Sequence, residues 1–253
     1  MSDSIHRVNH EIRQRRLVVL KVTDLTPRMR RITLGGAELA GFTSLGTDDH
    51  IKLLFATTPE QQHAIDARNL GRDGGARPTM REYTPRRIDL VNLELDIDFV
   101  LHGDGPASTW AAQAAPGQAL NIAGPRASMV VPDIFDSYLL IGDETAIPAI
   151  ARRLEELPAG RKVLAVIQVE DEQERQGLAS QAQVEVIWVR RHEQDLLGVV
   201  QHLALPEGRL YSWVALEKSL TRQAKTLLLE KGVQEDALKA AAYWRADGTA
   251  DDE

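Results

Sequence analysis

Leu93-Glu94-Leu95-Asp96-Ile97-Asp98-Phe99 alternates apolar and acidic residues without a break. A period of two predicts a β-strand with one buried face and one wet face. Toward the N-terminus, Arg16–Thr23 and Arg31–Leu34 are predicted as short strands, with turn signals at Thr26-Pro27 and Gly35-Gly36. His50–Phe55 is a further apolar run. The stretch Gln61–Thr79 carries Gly71, Gly74, Gly75 and Pro78 and is predicted as a surface loop. On the C-terminal side, one short helix is expected over Ala107–Ala115. Several short strands separated by turns predict a small antiparallel β-barrel.

The second half changes character. Tyr138–Ile141, Val163–Val169, Val184–Val189, Leu210–Ala215 and Ala241–Trp244 are predicted strands. Between them, Ile147, Ile150, Ala151, Leu154 and Leu157 fall at helical spacing, as do Leu196, Val199, Val200 and Leu203, and then Leu220, Ala224, Leu227 and Leu228. Thr145 is a candidate N-cap for the first of these helices, Pro148 is tolerated in its first turn, and Gly232 closes the last. Strands alternating with helices predict an open, mostly parallel sheet. The expected division is a barrel over residues 12–133 and an α/β domain over 134–248, with the boundary near Pro132–Asp136. The acidic end Asp251–Glu253 is expected to fray.

Composition narrows the function classes. The chain has 253 residues with 43% hydrophobic and 26% charged, enough for a packed core. It has no cysteine, which excludes disulfides, thiolate catalysis and cysteine-ligated iron–sulfur clusters. Electron chemistry would have to come from a bound cofactor. A net charge of −7 gives no global attraction to nucleic acid or anionic membrane. The apolar runs are too short to span a bilayer, and Met1–His10 lacks the apolar stretch of a secretory signal. A soluble, cytoplasmic protein without membrane insertion is expected.

Two segments carry chemistry. In Arg81-Glu82-Tyr83-Thr84-Pro85-Arg86, a strand would put Arg81 and Tyr83 on one face and Thr84 on the other. The planar fork of an arginine suits a phosphate, and a tyrosine ring can pack on a flat heterocycle while its hydroxyl still hydrogen-bonds. The plainer reading is an edge strand with a solvated arginine. In His102-Gly103-Asp104-Gly105-Pro106-Ala107-Ser108-Thr109-Trp110, small residues let backbone approach a ligand. Ala107 and Ser108 then open a helix whose free N–H groups can receive a pyrophosphate. A glycine turn before a helix is more often only a turn; its distance of about twenty residues from Arg81 is what gives it weight.

Together the segments resemble the siderophore-interacting protein family of FAD-dependent ferric-chelate reductases. The likeness runs over about residues 12–248. It includes Asp48-Asp49-His50-Ile51-Lys52-Leu53, the Arg-x-Tyr-Thr signature at Arg81–Thr84, Asp96–Gly103, Gly105–Ser108, Gly124-Pro125-Arg126, Gly142–Ala149 and Tyr243-Trp244-Arg245. It implies a two-domain, flavin reductase-like fold: an FAD-binding antiparallel barrel followed by an α/β, NAD(P)H-binding-like parallel sheet. It also implies roles. Arg81, Tyr83, Thr84 and the strand end Val100, Leu101 and His102 would contact FAD. Ala107 and Ser108 would bind its pyrophosphate, and Asp143 and Thr145 its adenosine side. Trp244 would sit near the flavin; without the likeness it reads as a core aromatic. Lys52, Arg126 and Arg245 would form a basic patch for an anionic ferric siderophore or other ferric chelate, though each alone reads as a solvated surface charge.

The implied reaction is electron transfer from reduced FAD to Fe(III), with no catalytic base or nucleophile. The iron is substrate, so no permanent metal site is expected, and the seven histidines show no ligand spacing. The electron donor implied is NAD(P)H, with ferredoxin as the alternative. There is no Gly-x-Gly-x-x-Gly after a strand, and the turn after Val169 carries Glu170, Asp171, Glu172 and Glu174. Those carboxylates would repel a 2′-phosphate unless Arg175 or Arg190 intervenes. Leu216 stands where family members usually have glycine; it either crowds a nicotinamide or is absorbed by repacking. The alternatives are a reductase for free flavin or a protein partner, and a non-catalytic siderophore-binding protein.

Overall fold

The computed structural model describes residues 4–69 and 76–246. Gly71, Gly74 and Gly75 of the expected loop, and the acidic C-terminal end, lie outside the described residues. The chain divides into two compact units, residues 4–131 and residues 132 onward.

The first unit comprises β1 (His6–Asn9), β2 (Gln14–Thr26), β3 (Met29–Gly35), β4 (Ile51–Phe55), α1 (Pro59–Asp66), β5 (Thr79–Tyr83), β6 (Arg87–Asp89), β7 (Glu94–Val100), α2 (Pro106–Gln113), β8 (Ala119–Ala123) and β9 (Ala127–Val130). Seven strands pair in the order β5-β4-β8-β2-β3-β7-β6, and β1 pairs with β9 in a separate antiparallel ribbon. All pairings in the larger sheet are antiparallel. Its two edges, β5 and β6, are joined by only Thr84-Pro85-Arg86. Four Cα–Cα steps reach at most about 15 Å. The edges of a flat seven-stranded sheet would be about 29 Å apart. The short link therefore requires the sheet to curl toward closure. Leu17, Val19, Ile32, Leu34, Leu95 and Ile97 are among the side chains that fill its interior.

Two expectations about this unit need correction. The acidic face of the alternating strand is buried, with Asp96 and Asp98 each only 4% exposed. Both carboxylates face basic or hydroxyl partners across the sheet. Asp98 accepts two bonds from its cross-strand partner Arg31, at 2.7 and 2.8 Å, and lies 4.0 Å from Arg86 Nε. Asp96 accepts from Thr33 Oγ1 and from Arg87 Nε, both at 2.7 Å and both on its register partners. Alternation identified the strand; the water on its polar face is replaced by these pairs. The other correction is α1, which overlaps the first part of the expected loop. Thr58 caps it by accepting from the Gln61 N–H, Pro59 occupies its first turn, and Gln61 reaches back to the Thr57 N–H at 2.7 Å. It buries only Ala64 and Ile65, too little for a helical apolar stripe to show in sequence.

The second unit comprises β10 (Ser137–Gly142), α3 (Ile147–Glu156), β11 (Lys162–Val169), β12 (Gln183–Arg190), α4 (Leu196–His202), β13 (Leu210–Glu217), α5 (Lys218–Glu230) and β14 (Leu238–Trp244). The sheet is wholly parallel in the order β12-β11-β10-β13-β14. The order reverses at β10, the switch point where open α/β sheets bind ligands at the carboxyl ends of the strands. The connection from β11 to β12 holds a short 3-10 turn and extended chain instead of a helix. Asp143, not Thr145, caps the turn leading into α3: its side chain accepts from the Thr145 N–H. No described helix is long and apolar enough to cross a membrane.

Candidate functional site

Arg81 and Tyr83 share one face of β5, and the register shows what covers that face. Thr79, Arg81 and Tyr83 lie opposite Phe55, Leu53 and Ile51 of β4. Tyr83 packs on Phe99 with ring centroids 4.6 Å apart, Phe99 on Trp110 at 5.7 Å, and Trp110 on Phe55 at 6.2 Å. Trp110 belongs to α2, so Arg81 is bracketed on its own face by residues that lead to α2. Burial pushes the Tyr83 hydroxyl pKa up, and the nearby Arg81 charge opposes that rise. Thr84 is buried at the start of the link to β6.

The strand end and α2 are locked together. The Leu101 N–H donates to Arg28 O at 2.7 Å, and the His102 N–H donates to Ser108 Oγ at 2.9 Å. Ser108 thus uses its side chain to hold the turn that follows Val100. Gly105 occupies the N-cap of α2 without a side-chain cap, so among the described residues the first-turn N–H groups have no side-chain acceptor. Ala107 and Ser108 are buried there, while His102 is exposed.

Arg81 is also distinctive in its charge environment. Arg30, Arg31, Arg68 and Arg87 are each paired with carboxylates. The Arg81 guanidinium bonds only the Met80 carbonyl, at 2.8 Å, among the described residues. Arg126 is exposed and likewise has no acidic partner among them.

Lys52 lies on the opposite face of β4 from Leu53, and so opposite to the Arg81–Tyr83 face. Its cross-strand partners are Glu82 on β5 and Ala123, the last residue of β8. Arg126 follows three residues after Ala123, through a cis Gly124–Pro125 peptide in which Gly124 has φ +94°. The buried Asp49 holds this neighbourhood: it accepts from Ser44 Oγ, the Gly46 N–H and Ser128 Oγ, tying the loop before β4 to β9. Sequence reading named the basic residues but missed Glu82 beside Lys52, a neighbour that only the strand register reveals.

In the α/β unit, Asp143 is fully buried. It accepts from the Thr145 N–H at 2.9 Å, from Thr145 Oγ1, and from Trp244 Nε1 at 2.7 Å. Burial pushes its pKa up, and the bonds from Thr145 and Trp244 oppose the rise. Trp244 is 36% exposed and held by this bond, so it is not the core aromatic that its strand position alone suggests. Arg245 follows β14 directly and is half-buried. Burial also raises the pKa of Glu144, against the pull of Arg191. Arg191 contacts Glu144, Gln168 and Glu170, and so ties the ends of β10, β11 and β12. Arg175 and Arg190 are paired at 2.7 Å with Glu172 and Glu193.

Leu216 is fully buried in the core of this unit, packed with Val214, Ala224 and Leu228. Its side chain packs inward within this unit. Leu216→Gly is expected to destabilise the unit by about 4 kcal/mol through the cavity it leaves, with no gain in nicotinamide use. Denaturant unfolding together with KM for NADH and NADPH checks both halves.

Comparison with known proteins is consistent with this geometry. Residues 18–129 match the model of the siderophore-interacting FAD-binding domain, and residues 135–247 match that of the siderophore-interacting protein. The chain is 35% identical over 248 residues to the NADPH-dependent ferric-chelate reductase of Escherichia coli, covering 95% of this chain and 96% of that one. It is 30% identical to the ferric vibriobactin reductase ViuB of Vibrio cholerae, covering 97% and 93%. The crystal structure of a siderophore utilization protein from T. fusca superposes with a TM-score of 0.86, at 35% identity over 98% of both chains.

Proposed function

The chain belongs to the siderophore-interacting protein family, and from that premise we propose that it reduces the iron of a ferric siderophore or similar ferric chelate with electrons carried by noncovalently bound FAD. One observation carries the reading: an arginine with no acidic partner among the described residues lies beside Tyr83 on the face that leads to the end of α2 that lacks a side-chain cap. A guanidinium and unused helix N–H groups are the donors a diphosphate needs. An aromatic ring beside them suits the flavin.

Bound FAD would supply electrons to Fe(III), and the Fe(II) produced is held less tightly by hard oxygen donors. The protein's own work is binding and orientation. Arg81, Ala107 and Ser108 hold the pyrophosphate. Tyr83, Thr84 and the Val100–His102 strand end position the isoalloxazine. Asp143, Thr145 and Trp244 are the α/β unit's proposed share in holding the cofactor. Lys52, Arg126 and Arg245 attract the anionic chelate. NAD(P)H is the proposed electron source, and ferredoxin is the alternative to be tested beside it.

The test is direct. The purified protein is reduced photochemically without air, then mixed with a ferric siderophore and an Fe(II) trap. Reoxidised flavin with trapped ferrous iron supports the reading; reduced flavin that persists beside bound chelate indicates a binding protein. Repeating the reaction with NADH, NADPH and reduced ferredoxin identifies the donor. Lys52→Ala is expected to retain FAD while raising KM for an anionic chelate about fivefold at low salt, a loss that added salt shrinks.

A further inference from the structure

The variable residue of the Arg-x-Tyr-Thr signature is Glu82, and its carboxylate faces two of the barrel's basic side chains. Glu82 Oε1 lies 3.8 Å from Lys52 Nζ and 3.7 Å from His50 Nε2. Lys52 is its direct cross-strand partner, and His50 comes just before β4. No other acidic partner of Lys52 occurs among the described residues. Arg126, three residues beyond the other strand partner of Lys52, has no such counter-charge among the described residues. The two barrel cations proposed to meet the chelate therefore differ: one is offset by a carboxylate and the other is not.

We infer that Glu82 is a specificity-determining residue, which lowers the positive charge around Lys52 and so limits the preference of the site for highly anionic ferric chelates over neutral ones. The inference rests on the proposed role of Lys52 in chelate binding. Its physics is simple. The contacts are longer than hydrogen bonds, so Lys52 is attracted but not locked and remains able to turn toward a substrate. A chelate held by Lys52 must also lie within several ångströms of the Glu82 carboxylate. In solvent, one unit charge at about 8 Å changes affinity by roughly two- to threefold for each unit of charge on the chelate. The effect multiplies with chelate charge and is screened by salt. A trianionic tris-catecholate is penalised on the order of tenfold by this arithmetic, whereas a neutral trihydroxamate feels no net field.

The experiment compares kcat/KM, per bound flavin, for a ferric tris-catecholate trianion and a neutral ferric trihydroxamate. Wild type, Glu82→Gln and Lys52→Ala are assayed at low and high salt. For Glu82→Gln, the trianion-to-neutral ratio should rise on the order of tenfold at low salt, through KM and not kcat, and collapse toward wild type at high salt. If Lys52→Ala lowers that ratio but Glu82→Gln leaves it unchanged, the role of Glu82 is overturned while chelate binding by Lys52 stands. If neither variant moves the ratio, Lys52 does not meet the chelate and both statements fail. A change in kcat that is equal for both chelates and insensitive to salt would assign Glu82 to shaping the adjacent Tyr83 strand, which also overturns the inference.

Discussion

Arg81→Ala is expected to purify largely colourless, with FAD affinity reduced about 100-fold, or about 3 kcal/mol, for loss of a charge-assisted double contact to a pyrophosphate. The reason lies in how Arg81 is placed. Other arginines of the barrel unit spend their charge on Asp24, Asp96, Asp98, Glu38 or Glu94. Among the described residues, Arg81 spends only one N–H, on the adjacent Met80 carbonyl. Removing it therefore breaks no ion pair, and the barrel should fold as before. Far-UV circular dichroism should match wild type while the visible flavin absorbance is lost, and added FAD should restore it only at high concentration. Arg81→Lys should recover part of the affinity, because it keeps the charge but not the planar fork. Lys52→Ala supplies the contrast, since Lys52 lies on the other face of the strand pair. Equal loss of FAD in both variants would contradict the division between cofactor and chelate residues.

How much of this was legible in the sequence differs from residue to residue. The strands were readable where one face is buried and the other is polar, as in β7, because that alternation is what burial imposes on a strand. The same pattern misled about Asp96 and Asp98. A period of two says which residues share a face, and nothing about whether a neighbouring strand brings arginines to it. Helix α1 was hidden because its Thr58-Pro59 start is visible but its buried face is only two residues wide. Arg81, Tyr83 and the α2 start could be named from residue types and order, but the aromatic chain Tyr83–Phe99–Trp110–Phe55 that links them depends on folding distance. Leu216 stayed open between crowding a nicotinamide and repacking, because its place at a strand end does not say whether the side chain packs inward, as it does here. Glu82 was invisible as a neighbour of Lys52 for a related reason: thirty positions of chain separate them, and only register joins them.

The buried acids of β7 give the largest expected effect on stability. Asp98→Ala should destabilise the barrel unit by about 3–5 kcal/mol, the usual cost of removing one partner from a buried charge pair. Asp98 is nearly inaccessible, accepts both bonds of the Arg31 fork, and lies 4.0 Å from the buried Arg86. Its loss takes from both guanidinium groups a buried carboxylate that now sits beside them. Arg86 is buried within the link that closes the sheet, and its backbone N–H donates to Asp96 O at 2.9 Å. The damage should therefore reach the Thr84–Arg86 link and, through it, the end of β5 that carries Tyr83. Urea unfolding followed by flavin fluorescence and by circular dichroism should show both signals lost at a lower midpoint. Replacing the whole set with apolar residues, Asp98→Leu with Arg31→Met and Arg86→Met, should recover most of the stability, because a buried ion pair gains little over good packing. An Asp98→Ala protein as stable as wild type would mean that water or movement already screens this cluster. The closed edge of the barrel would then have to be held by its short link and apolar core alone.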